Sequence, residues 1–281
     1  MENKGEGYMD KYFEKITILE TLGVYILVNI LVFLSTLVIN VDSKSAINGN
    51  LLVIISEVLL ITYIIYRLNH NNFKLKEAII DFKKKPQFKD SLIIFILHAI
   101  LALTAALGVA YIIYKINPEL TKKMLNEKII ENNGTVYDNI YAFILGVILA
   151  PIMEELIFRG IMFNRLKMRW GAGPAIIISS IIFGMLHMDL AIIGAVLFGI
   201  MMCILYMKTR NIITTMTIHF INNLIFISIS IGKQENTSQG DITEIVSIGK
   251  MALILFAVSS VISIYYIVKN WPKKEKKISL N

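Results

Sequence analysis

Long apolar segments alternate with short polar segments along the whole chain. Eight of the apolar segments approach or exceed the roughly 20 residues that an α-helix needs to cross a bilayer. The pattern predicts membrane-spanning helices over residues 21–41, 51–66, 91–114, 140–158, 174–188, 190–206, 211–231 and 250–268. We therefore expect an all-α fold, a polytopic membrane bundle of about eight helices that forms a single integral membrane domain over residues 1–281.

The composition agrees with a membrane protein. Of the 281 residues, 56% are apolar and only 17% are charged, whereas soluble domains average about a quarter charged residues. The first apolar segment is longer than the apolar region of a signal peptide and lacks a small-x-small cleavage site, so we expect it to be retained. Cys203 is alone, which excludes an intrachain disulfide.

The net charge of +7 predicts an orientation in the membrane and not a nucleic-acid partner. If the N-terminus is cytoplasmic, 21 of the 28 Lys and Arg residues fall in the predicted inner segments, as the positive-inside rule requires. Eight spans return the tail, WPKKEKK, to the cytoplasm. We expect both termini to be cytoplasmic, and the abundance of Ile, Lys and Asn favours a prokaryotic cell membrane.

The stretch PIMEELIFRG at 151–160 places charges inside a predicted span. A charge at the bilayer centre costs roughly 2.5 to 3.5 kcal/mol on insertion scales, so such a residue indicates a functional site. Glu155 and Arg159 are one helical turn apart in the acid-before-base order and are predicted to neutralise each other. Glu154 points about 100° away from Glu155 and is left for chemistry.

Two further polar clusters lie in later spans. Phe183 and His187 are four residues apart, so the ring is predicted to pack beside the imidazole. His219 and Asn223 share one helix face and offer two hydrogen-bond donors. A carboxylate, an imidazole and a donor pair are the components of hydrolysis by an activated water. We therefore predict a catalytic core over residues 140–231.

The three motifs, in this order on successive membrane segments, resemble those of a known enzyme family. They are EELIFR at 154–159, FGMLH at 183–187 and HFINN at 219–223. Glu-Glu-x-x-x-Arg, Phe-x-x-x-His and His-x-x-x-Asn are similar to the motifs of the CAAX protease and bacteriocin-processing family (CPBP, also called Abi). These intramembrane endopeptidases are related to the type II CAAX prenyl endopeptidase, and the resemblance covers about residues 140–231.

The resemblance implies a role for each motif residue. Glu154 and His187 would activate a water molecule, and His219 and Asn223 would form the oxyanion hole. Glu155 with Arg159 would be a supporting ion pair. The implied partners are the lipid bilayer and a membrane peptide or protein substrate, such as a prenylated C-terminus or a bacteriocin or pheromone precursor.

Two alternatives are open for the role of a metal ion in the predicted reaction. The family is often described as metalloproteases, and Glu154, His187 and His219 could hold Zn²⁺ with one open position. The chain has no H-E-x-x-H motif, however, and Glu154 alone can serve as a general base in a site of low dielectric. We favour a metal-independent enzyme without a cofactor.

Two other functions use the same polar residues. A non-catalytic immunity or signalling partner could bind a peptide in the cavity, and a transporter could use Glu154 and the histidines as a proton relay. A base, an imidazole and oxyanion donors together favour the protease over either. His98, in the third span, has no partner that the sequence identifies, and we interpret it as an interior histidine. Asn222 could share the donor role of Asn223.

Overall fold

A computed structural model describes residues 10–39, 46–84, 88–121, 136–187, 192–234 and 242–273. These residues form helices and no β-strand. The helices are α1 (Asp10–Phe13), α2 (Ile18–Ile39), α3 (Ala46–His70), α4 (Leu75–Lys84), α5 (Phe88–Ile116), α6 (Val136–Trp170), α7 (Ala172–Met185), α8 (Ile192–Thr209), α9 (Ile212–Gln234) and α10 (Ile242–Lys269).

Within the described residues, seven helices are long and apolar enough to cross a membrane, and the shorter α7 is also apolar. The prediction of an all-α polytopic bundle of about eight helices is therefore confirmed, and the chain is an integral membrane protein. Helix α7 has 14 residues, so it is about 21 Å long and shorter than a hydrocarbon core of roughly 30 Å.

Helix α6 is longer than the sequence pattern predicted. A span ending at residue 158 was expected, but the helix continues without a break to Trp170. It stops at Gly171, whose φ of 83° suits glycine, and Pro174 lies in the first turn of α7. Three predicted span boundaries, at residues 41, 188 and 190, lie outside the described residues.

Small residues bring the helices into close contact. Helix α8 is central, and its residues 201–206 are all buried. Gly199 of α8 packs on Ser180 of α7, where an added Cβ would lie 2.9 Å from the serine Cβ. Gly249 of α10 faces Tyr111 of α5 in the same way. Such contacts are the usual means of helix association in membranes, because small residues let backbones approach closely.

A buried ionic cluster joins the first described residues to α6 and α8. The side chain of Asp10 is fully buried, and its carboxylate is bound by Lys167, Tyr206 and Arg210. Next to it, Phe13 packs against Gly160 of α6. We call Asp10 and the three side chains that bind it the Asp10 cluster.

Candidate active site

Helix α6 departs from α-helical geometry on both sides of the two glutamates. Residues Phe143–Leu149 and Leu156–Met162 are π-helical, and the α-helical Ala150–Glu155 lies between them. In the first π segment the backbone N–H of Ala150 donates to the carbonyl of Leu145, five residues back. π turns widen a helix locally and are frequent at functional sites.

Proline at the next position leaves one carbonyl without its backbone donor. In the π register the residue after Ala150 would donate to Gly146, but Pro151 has no N–H. The side chain of Asn223, on α9, supplies the missing donor: its Nδ2 lies 2.8 Å from the Gly146 oxygen. A buried carbonyl in a membrane protein needs such a partner. The predicted oxyanion residue is thus anchored to α6 by one of its two amide hydrogens.

Glu155 is the centre of a buried ionic network. Its side chain is fully buried, and Oε1 accepts hydrogen bonds from Arg159 Nη1 at 2.8 Å and from His219 Nδ1 at 2.9 Å. The predicted Glu155–Arg159 pair is therefore present. The guanidinium of Arg159 also lies 4.5 Å from the ring centre of Phe183, a favourable cation–π contact.

Glu154 has a different environment. Its side chain keeps 19% of its surface exposed, and Oε2 lies 3.8 Å from His219 Nε2, too far for a hydrogen bond. Because a carboxylate only accepts, the proton in the His219–Glu155 contact is on Nδ1, and Nε2 is the nitrogen that faces Glu154. Glu154 therefore retains the capacity to bind a water molecule.

Two phenylalanines hold the histidines in place. Phe183 packs beside His187 with ring centres 4.7 Å apart, as predicted, and meets His219 edge-on at 6.0 Å. Phe198, on α8, contacts His219 at 5.3 Å and His98 at 4.1 Å. Phe198 could not be identified from the sequence, because it is one of many apolar residues in its span.

His187 lies just beyond the end of α7, where the chain turns. Its Nδ1 is 2.9 Å from the carbonyl oxygen of Phe183, so Nδ1 donates and Nε2 can accept a hydrogen bond in the neutral ring. Among the described residues, no direct hydrogen bond or ion pair joins His187 to Glu154.

His98 does have a partner. Its Nδ1 is 2.8 Å from Asn222 Oδ1, and its side chain is buried. The interpretation of His98 as an isolated interior histidine is therefore incomplete: it contacts the residue next to Asn223. A histidine in an otherwise apolar span was the available signal, but a partner 124 positions away cannot be read from one sequence.

The three candidate zinc ligands do not form a coordination site in this arrangement. No group of three His, Cys, Asp or Glu side chains in the described part of the chain is placed to hold a metal ion. His219 Nδ1 is bound to Glu155, and its Nε2 lies 3.8 Å from Glu154, but His187 is not placed with them as a third ligand. Metal independence stays a prediction.

A cavity of about 230 Å³ lies between α2 and α3 beside the site. It is bordered by Met153, next to Glu154, and by the polar side chains of Asn29, Ser56 and Glu57. Glu57 is close enough to Glu154 for their charges to interact, and its Oε2 is buried without a hydrogen-bond partner among the described residues. The wall of this cavity is mostly apolar, and Asn29, Ser56 and Glu57 are its polar side chains.

Comparison with known proteins gives two matches and one negative result. Residues 137–225 match the family described as type II CAAX prenyl endopeptidase Rce1-like. The chain is 35% identical over 98 residues to a Bacillus subtilis (strain 168) protein named "Putative membrane peptidase YdiL". That match covers 33% of this chain and 40% of the relative. No solved structure matches the chain.

The matched region contains all three motifs. It begins one residue after the start of α6 and ends in α9, beyond Asn223. The residues brought together around Glu155 and His219 belong to this region, whereas His98 and Glu57 lie before it. The comparisons therefore confirm the resemblance to the CAAX protease and bacteriocin-processing family over the part of the chain that carries the motifs.

Proposed function

We propose that this chain is an intramembrane endopeptidase that hydrolyses a peptide bond of a membrane-associated or lipid-modified peptide. The observation that carries the proposal is the pairing of Glu154 with His219 in the interior of a membrane bundle. The Glu154 side chain there is partly exposed, and its buried Oε2 has no hydrogen-bond partner within the described chain. The family resemblance over residues 137–225 supports the same reaction class.

In the proposed reaction Glu154 is the general base. It takes a proton from a water molecule while the water oxygen attacks the carbonyl carbon of the scissile bond. A C–O bond forms and the carbonyl π electrons move to the oxygen, which gives a tetrahedral oxyanion. When this intermediate collapses, the C–N bond breaks and the proton on Glu154 passes to the leaving nitrogen. The products are a carboxyl group and an amine.

His187 would orient the attacking water. Because Nδ1 is bound to the Phe183 carbonyl, Nε2 is available to accept a hydrogen bond from the water while Glu154 accepts the other proton. Holding the water between two acceptors fixes its lone pair for attack and removes the entropic cost of finding that geometry.

The oxyanion would be stabilised by His219 and Asn223. Asn223 has a second amide hydrogen besides the one bound to Gly146. His219 donates its Nδ1–H to Glu155 Oε1, and Nε2, on the side of Glu154, would be the second donor when it carries a proton. Donors fixed in a water-poor site act more strongly than in water, and one such donor is worth on the order of 10²–10³ in kcat.

The substrate is expected to enter from the side, between α2 and α3. The cavity there borders Met153, the residue before Glu154, and α2 packs on few neighbours along its length. A peptide anchored in the bilayer would reach Glu154 by this route without leaving the membrane. Prenylated C-termini and bacteriocin or pheromone precursors are all within the range that the family resemblance implies.

The decisive experiment compares membrane peptides in cells that express the wild-type protein or Glu154→Gln at matched levels. We expect an uncut precursor to accumulate only with the variant, because loss of a general base lowers turnover by about 10²–10⁴-fold. Mass spectrometry of the precursor and its product identifies the substrate and the cleavage site. Asp81→Asn, an exposed acid on α4, is the matched control and should behave as wild type.

Two other outcomes would overturn the proposal. If no peptide changes while a cellular phenotype still depends on the protein, a non-catalytic immunity or signalling partner becomes the better explanation. If Glu154→Gln abolishes proton-coupled uptake into vesicles that contain only this protein, the site belongs to a transporter.

A further inference from the structure

Four polar groups form a continuous chain that begins outside the three motifs. His98 Nδ1 lies 2.8 Å from Asn222 Oδ1, and Asn222 Nδ2 lies 3.3 Å from Asn223 Oδ1. Asn223 Nδ2 in turn lies 2.8 Å from the Gly146 carbonyl oxygen. We call this series the amide relay. It links α5, α9 and the first π segment of α6.

The orientation of each side chain in the relay is determined by whether its neighbour accepts or donates a hydrogen bond. The Gly146 carbonyl only accepts, so it is the Asn223 amide nitrogen that faces it, and the Asn223 oxygen faces Asn222. Asn222 therefore donates from Nδ2 and presents its own oxygen to His98. It follows that His98 carries its proton on Nδ1 and that every amide in the series has one allowed orientation.

The start of the relay is rigid. His98 is buried, and its ring lies 4.1 Å from that of Phe198. Phe198 also contacts His219 at 5.3 Å. The end of the relay is equally fixed, because Pro151 cannot supply the backbone N–H of the π register to the Gly146 carbonyl and the Asn223 amide donates to it. An amide held at both its oxygen and its nitrogen cannot rotate.

We propose that His98 is a positioning residue for the oxyanion hole: through Asn222 it fixes the amide plane of Asn223, so that the second amide hydrogen points at the substrate oxygen. This inference rests on the proposed function and adds to it a residue outside the matched region. His98 does not touch the substrate. It acts by preventing the Asn223 amide from turning its oxygen, which would repel an oxyanion, towards the site.

The test uses four variants and a quenched fluorescent membrane peptide chosen because the wild-type protein cleaves it. His98→Ala should lower kcat by about 10- to 100-fold with little change in KM, because misplacing a catalytic group by about 1 Å costs on the order of 10²-fold. His98→Asn should recover most of the activity, since the amide nitrogen of Asn occupies the place of Nδ1. His98→Gln should not, because its amide nitrogen occupies the place of Nε2. His70→Ala, an exposed histidine at the end of α3, is the control.

A double-mutant cycle separates positioning from general damage to the fold. If His98 acts through Asn223, His98→Ala should have no further effect on kcat in the Asn223→Ala background. Independent effects that multiply would overturn the proposal, and so would full activity of His98→Ala or an equal loss in His98→Asn and His98→Gln.

A second measurement does not require turnover. Nitrogen-15 NMR of histidine-labelled protein should show the Nδ1–H tautomer of His98 in the wild type and its loss in Asn222→Leu. A wild-type Nε2–H tautomer would overturn the relay even in an active enzyme. If the tautomer is as expected but the wild-type protein cleaves no peptide, the proposed function fails, and the positioning role with it.

Discussion

Two buried clusters of charge in the described part of the chain use their hydrogen-bonding capacity differently. In the Asp10 cluster both carboxylate oxygens are occupied, Oδ1 by Tyr206 and Oδ2 by Lys167 and Arg210. At the candidate site Oε2 of Glu154 and Oε2 of Glu155 are buried without a partner among the described residues. A satisfied cluster holds helices together, whereas unused acceptors in a membrane interior are costly and indicate a place where water or substrate binds.

The buried ionic network around Glu155 is expected to be more fragile than the Asp10 cluster. Arg159→Leu removes the cation that lies 2.8 Å from Glu155, in a pair whose side chains are 1% and 0% exposed. The remaining buried charge should cost about 3–5 kcal/mol and lower the thermal unfolding midpoint in detergent. Adding Glu155→Gln should restore part of that loss. An unchanged midpoint in Arg159→Leu would contradict the view that the pair is a buried unit.

A smaller effect is expected at the Asp10 cluster. Asp10→Asn removes the charge, but Lys167 and Arg210 are 16% and 25% exposed and can turn to water. We expect a loss of about 1–3 kcal/mol, with kcat per folded molecule unchanged. Unfolding midpoints and kcat measured on the same preparation check both parts. A large fall in kcat without loss of stability would show that this cluster is more than a structural clamp.

The smallest expected effect is that of a chelator. The carboxylate oxygens without a hydrogen-bond partner at the site are expected to bind water and the peptide and not a metal ion. Treatment with a zinc chelator should leave the cleavage rate unchanged, because Glu154 supplies the base without a metal. Loss of activity that Zn²⁺ restores, and Mg²⁺ does not, would favour Glu154, His187 and His219 as ligands in a rearranged site.

Local features of the site could be predicted from the sequence. The Glu155–Arg159 pair and the packing of Phe183 on His187 depend on helical spacing, since residues four apart share a face. The membrane spans could be predicted for the same reason, because length and apolarity decide them. The end of α6 was placed 12 residues too early, because Arg159 looked like the edge of a span and is in fact a buried partner.

Contacts between distant parts of the chain could not be predicted. The sequence assigned one partner to Glu155, but His219, 64 positions later, is a second. The link between His98 and Asn222 was missed for the same reason. The π segments could not be predicted either, because the periodicity of apolar residues does not distinguish a turn of 3.6 residues from a slightly wider one. Pro151 was visible in the sequence, but its effect on the Gly146 carbonyl depends on that wider register.

The Asp10 cluster also has a consequence for the order of assembly during synthesis. Asp10 is made early, but Lys167 and Arg210 follow 157 and 200 positions later. At about 5–20 residues per second, the carboxylate waits on the order of 10 to 40 s for its partners. Phe13 cannot reach Gly160 until α6 has been inserted. Completion of the Asp10 cluster therefore follows synthesis of the helices that carry Glu154 and His187.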